Sequence, residues 1–151
     1  VSRVGDLGIN YANVPNLIAE YEDVLSTAAT ILPVKGKTLD AALKEQTSVV
    51  FFDERRAEVK TLVKFLNIQV SKVRGGLVRR INESNAKALG ERMINSYIDA
   101  DDTYISTHEL LLEVEELYEK YTAVVEAFTK RGFALRDITA ARIADVHNSI
   151  L

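Results

Sequence analysis

Between Arg55 and Arg80 the chain carries Arg55, Arg56, Lys60, Lys64, Lys72, Arg74, Arg79 and Arg80 against Glu58 alone. Lys and Arg so spaced suit one chemistry: neutralising phosphates and releasing the counterions condensed around them, the sequence-independent part of nucleic-acid binding. On a helix, Arg56, Lys60, Lys64 and Arg74 fall within about 40° of a common line and share one flank. Gly75 and Gly76, beside Arg74, Arg79 and Arg80, also permit close approach of backbone to a phosphate. A competing use of these cations is pairing within protein. From Asp99 to Glu126 the acids Asp99, Asp101, Asp102, Glu109, Glu113, Glu115, Glu116, Glu119 and Glu126 face Lys120 alone, so a net charge of −3 hides a dipolar chain.

Other chemistry finds little support. His108 and His147 stand in no metal-ligand spacing with carboxylates, and Glu109 adjoins His108 without sharing its helix face. Glu113, Glu115, Glu116 and Glu119 lie opposite an apolar stripe, where no dry pocket raises a carboxylate pKa. The chain has no cysteine, which excludes disulfides, thiolate metal sites and thiol nucleophiles. No phosphate-cradling glycine loop, nucleophile elbow or dinucleotide fingerprint is present. The expectation is a non-enzymatic protein without catalytic residues, metal or cofactor.

The elements that must carry the cations are helical. At 151 residues, 47% of them hydrophobic, the chain reads as one domain. Only two prolines occur and none follows Pro33, which argues for an all-α fold over a turn-rich sandwich. No apolar run approaches a membrane span of about 18 residues, so the expectation is a soluble, intracellular protein. Residues 1–12 read as an extended arm. Asn13, with Pro15 behind it, predicts a helix cap opening a helix to about Ile31 that buries Leu17, Ile18, Tyr21 and Leu25. Leu32 to Lys37 is the loop after it, and Thr38 the next cap. From there Phe52, Val59, Leu66 and Val73 recur every seven residues, predicting a long amphipathic helix to about Arg74. Gly75 and Gly76 predict a break, and Asn82 to Asn85 the start of a shorter helix to about Ile98. The basic helices thus belong to 13–98, and 101–151 holds an acidic helix and a C-terminal one.

In that last region Tyr104, Leu111, Tyr118 and Val125, flanked by Val114, Tyr121 and Phe128, form a wide apolar stripe. It is the natural partner of the Phe52 to Val73 stripe, giving an elongated helical hairpin or bundle. Lys130, Arg131 and Gly132 predict a helix stop, with Phe133 touching Phe128 across a Schellman turn. Leu135, Ile138, Ile143, Val146 and Ile150 then line a second helix, with Arg142 inside the stripe.

The corner Lys130-Arg131-Gly132-Phe133-Ala134-Leu135-Arg136-Asp137-Ile138, with Arg142 beyond it, resembles the C-terminal segment of the UvsY family, the recombination mediators of T-even-type bacteriophages. The likeness continues upstream through Ala100, Asp101 and Ile105 to Ala127, over roughly the last 60 residues. It implies a ring of subunits joined through the C-terminal helices, with Phe133, Leu135, Ile138, Arg142, Ile143, Val146 and Ile150 at the contact. It also implies binding of single-stranded DNA and loading of a RecA-like recombinase onto DNA covered by single-strand binding protein, in the host cytoplasm if phage-encoded. The family's DNA-binding loop carries tyrosines. This chain has Ile81-Asn82-Glu83-Ser84 there.

Two functions follow. The first is an oligomeric mediator that binds single-stranded DNA along Arg56, Lys60, Lys64, Lys72, Arg74, Arg79 and Arg80. The second is a helical structural or adaptor subunit, such as a phage particle component, whose basic and acidic helices meet at subunit contacts without nucleic acid.

Overall fold

The protein is all-α. A computed structural model describes residues 9–31 and 38–150, and the side chains of 46–149 beyond the first helix. Of these residues 92% are helical and none is in a strand. A 3-10 turn, Tyr11–Asn13, leads into α1, Val14–Ile31; α2 is Thr38–Ser84, α3 Glu91–Asp99 and α4 Asp102–Ile150. Expectations for the N-terminal arm at 1–8 and the loop at 32–37 lie outside the described residues, as does the side chain of Ile150. Among the described residues no helix is long and apolar enough to cross a membrane.

α1 opens directly after Asn13 and ends at Ile31, as the sequence reading has it; ahead of it Asn10 caps the 3-10 turn, its backbone and side-chain oxygens both accepting the Asn13 N–H at 3.0 Å. Other helix boundaries differ. Gly75 and Gly76 do not break α2, which runs on to Ser84, so the shorter helix starts at Glu91 rather than near Asn82. Two helical glycines cost about 2 kcal/mol. Leu77, just beyond them, is buried and returns a comparable amount, about 1.5–3 kcal/mol. At the end of α2 side chains satisfy carbonyls of the last turns: Ser84 Oγ donates to Arg80 O at 2.7 Å and Asn85 Nδ2 to Ile81 O at 2.6 Å.

Gly132 likewise forms no corner. α4 continues through it, and the predicted C-terminal helix-turn-helix is one uninterrupted helix. A single glycine costs about 1 kcal/mol, and Leu135 on its far side is buried. The stripe of α4 is also set over from the sequence reading. Thr107, Val114, Tyr121, Phe128 and Leu135 are all buried, seven residues apart, while Tyr104 and Tyr118 are half-buried.

Packing divides the chain into two compact units, Val1–Ile18 with Val59–Glu116 and Ala19–Glu58 with Leu117–Leu151. In the first, Val14, Val59, Leu62, Leu66, Ile98 and Val114 are among the buried side chains. The Tyr11 hydroxyl lies 3.2 Å from Thr107 Oγ1. Thr107 gives its own proton to Thr103 O at 2.7 Å, so Tyr11 is the donor of the pair. The Asp101 carboxylate accepts the Tyr104 N–H at 2.9 Å and caps α4.

The second unit has an aromatic centre. Phe52 stacks on Phe128 with ring centres 5.3 Å apart and planes 14° apart, and Tyr121 meets Tyr21 edge to face at 6.3 Å. The Tyr121 hydroxyl donates to Tyr21 O at 2.6 Å.

Candidate nucleic-acid interface

The eight cations of the 55–80 segment separate by what they touch. Arg55 donates to Glu58 at 2.8 Å and lies over the Phe51 ring, 5.1 Å from its centre. Glu58 is buried and also accepts the Tyr21 hydroxyl at 3.0 Å. The one acid of the segment is thus consumed together with one of its bases. Arg56 pairs with Asp53 one turn before it, so it is a compensated charge of the second unit.

The other six predicted cations, Lys60, Lys64, Lys72, Arg74, Arg79 and Arg80, belong to the first unit and are all exposed. Lys60, Lys64, Lys72, Arg79 and Arg80 form no ion pair with a described residue. Arg74 donates to neutral Asn95 Oδ1 at 2.7 Å and keeps its charge.

Their placement follows from helix geometry. At about 100° per residue, Lys60, Lys64 and Arg74 make one row. Lys72 and Arg79 make a second row about 110° further round. The buried Val59, Leu62, Leu66 and Leu77 occupy the side between about 200° and 260°, so the two rows flank the solvent face. From Lys60 to Arg79 is about 28 Å along the axis at 1.5 Å per residue.

Arg80 leaves both rows and borders two grooves. One is lined by Lys72, Val73, Gly76, Leu77, Asp101 and Thr103 as well as Arg80. The other, about 290 Å³, lies between the end of α2 and α3, with Leu77, Ile81, Ser84, Asn85 and Tyr97 around Arg80. Tyr97 was not singled out from sequence. The signal was there: on α3, Ile94 and Ile98 are four residues apart and turned inward, which leaves Met93 and Tyr97, also four apart, exposed.

Of the residues predicted at the C-terminal contact, Phe133, Ile138, Ile143 and Val146 are exposed on α4, as is Arg142. Leu135 is buried within the second unit. Phe133 carries the Arg136 guanidinium over its ring at 5.2 Å, and with Val49, Val50, Phe128 and Gly132 it lines an open apolar groove of about 320 Å³.

Elsewhere, His108 Nε2 lies 3.1 Å from the Tyr104 hydroxyl on the same helix, and His147 is exposed. Glu113, Glu115 and Glu119 are exposed. Among the described residues no three His, Asp or Glu side chains gather where they could hold a metal ion.

No family model, curated protein or solved structure matches this chain.

Proposed function

We propose that this chain binds single-stranded nucleic acid along the solvent face of α2 in the first unit, through Lys60, Lys64, Lys72, Arg74, Arg79 and Arg80, and that it acts without catalysing a reaction. The observation that carries this reading is that none of these six cations has an ion pair with a described residue while Arg55 and Arg56 do. Charge left unpaired on a rigid rod is available for phosphates. Two rows flanking one face suit a flexible strand that can bend between them.

The finer role, assembly into a ring that helps load a recombinase onto single-stranded DNA, rests on the resemblance of the segment around Gly132 to phage recombination mediators. The exposed Phe133, Ile138, Ile143 and Val146 support self-association in that reading.

Those same apolar side chains favour a second reading, an adaptor subunit whose cations meet acidic helices of neighbouring copies. Anisotropy of a labelled single strand across a salt series separates the two. With six phosphate contacts, log K falls against log salt with a slope of up to about −4, at about 0.7 per contact on a single strand. Arg79→Ala with Arg80→Ala flattens that slope by about 1.4 and leaves the sedimentation of the protein unchanged. No binding at about 50 mM salt removes the nucleic-acid reading. Loss of assembly in the double variant favours the adaptor.

A further inference from the structure

The groove between the end of α2 and α3 is unlike the rest of the cationic face, because it sets an open aromatic ring, Tyr97, beside a cation, Arg80. Arg74 ties α3 to α2 through Asn95 at 2.7 Å, and Ile98 is fully buried. α3 is thereby held on both sides of Tyr97. Tyr97 nevertheless stays 56% exposed, and its hydroxyl makes no hydrogen bond to a described residue. A tyrosine on an anchored helix, largely open and with its hydroxyl unbonded to a described residue, is a platform that a planar group can reach.

We infer that this groove is a nucleobase site: one base of a bound single strand stacks on Tyr97 while Arg80 takes the adjoining phosphate. The inference rests on the single-strand reading and adds to it the part of the ligand that the rows of cations cannot grip. A base stacks on an aromatic ring whatever its identity, because every base has a π face. Asn85 uses Nδ2 on Ile81 O, and its carbonyl oxygen remains an acceptor for a base edge. The cavity of about 290 Å³ lies at the lower limit of small-molecule sites, which suits one nucleotide. A duplex cannot use the groove, since its bases are already stacked on each other. Arg80 joins this site to the Lys72 and Arg79 row, so the strand reaches it along charges already counted.

The test compares Tyr97→Ala and Tyr97→Phe with the unaltered protein on two labelled strands of equal length, one oligothymidylate and one abasic. Tyr97→Ala weakens oligothymidylate binding about 5- to 150-fold, the range of one lost base stack. Tyr97→Phe retains it. On the abasic strand the three proteins bind alike, and the salt slope is the same for all. A 5-iododeoxyuridine strand crosslinks to Tyr97 on irradiation, as located by peptide mass spectrometry. Unaltered binding by Tyr97→Ala, or an equal loss on both strands, overturns the base site. With the first outcome the cationic reading survives if Arg79→Ala with Arg80→Ala still weakens binding. A protein that binds neither strand at low salt loses both readings together.

Discussion

Tyr21 donates its hydroxyl to Glu58 at 3.0 Å while Arg55 donates to the other carboxylate oxygen at 2.8 Å, so one buried acid joins α1 to α2. The consequence for function lies in what is left over. Glu58 is the only acid between Arg55 and Arg80, and its engagement inside the second unit removes it as a counter-charge for the cations of the first. Tyr21→Phe deletes one hydrogen bond to a charged group and lowers the unfolding free energy by about 1.5–3 kcal/mol. Glu58→Ala strips the acceptor from both Tyr21 and Arg55 and costs at least as much. Urea midpoints read both changes, and strand binding by the folded variants is unchanged.

The same cluster sets a behaviour at high pH. Burial pushes the Tyr121 hydroxyl up to about 12, with Arg55 pulling it down and Glu58 pushing it up; burial and Glu58 raise Tyr21 further. An unfolded tyrosine ionises near 10. Above that pH the unfolded chain has released protons that the folded chain still holds, so stability is fully present below pH 10 and falls as pH rises towards 12. Denaturant midpoints taken across that window decline in the unaltered protein, and decline less in Tyr121→Phe. A flat profile contradicts the burial of the two hydroxyls.

The long apolar stripes were legible because they repeat over many turns: Phe52, Val59 and Leu66 are buried where a seven-residue period puts them. The charge asymmetry was legible too, but its meaning was not. Arg55 with Glu58 and Arg56 with Asp53 are each three residues apart and within reach on one helix, but sequence could not tell that Glu58 is turned inward beside Tyr21, 37 residues away, nor that Lys60 to Arg80 form no ion pair with a described residue. Tyr97 was missed for a similar reason. The spacing of Ile94 and Ile98 marks Tyr97 as exposed, but the groove beside it exists only because α3 lies along the end of α2. The glycines misled in the opposite direction. Gly75, Gly76 and Gly132 permit a break without requiring one, and the buried leucines beyond them decide the matter.

Gly75→Ala and Gly76→Ala test that account. A Cβ built at either position meets nothing within 4 Å, so neither change carries a steric cost. Alanine is favoured over glycine in a helix interior by about 0.8–1 kcal/mol per site. Each variant unfolds at a higher temperature, and the double variant gains roughly the sum. If the chain breaks at these glycines instead, alanine brings no gain and helical ellipticity is unchanged.

The last turns of α4 supply the remaining prediction. Ile138, Ile143 and Val146 are 46%, 66% and 60% exposed and fall within an arc of about 140° at 100° per residue, on a segment whose residues 140–149 are all exposed. An apolar stripe of that kind is the surface through which copies would join in the proposed assembly. Ile143→Asp with Val146→Asp places two charges where association would strip their water, a cost of about 2 kcal/mol or more for each. Both positions are open in the single chain, so its thermal unfolding changes little while its sedimentation shifts to a smaller species. If the doubly substituted protein sediments as the unaltered one does, the copies join elsewhere. Strand binding then separates the two effects: losing assembly lowers apparent affinity for a long strand through lost multivalency, and leaves that for a strand short enough to occupy one copy unchanged.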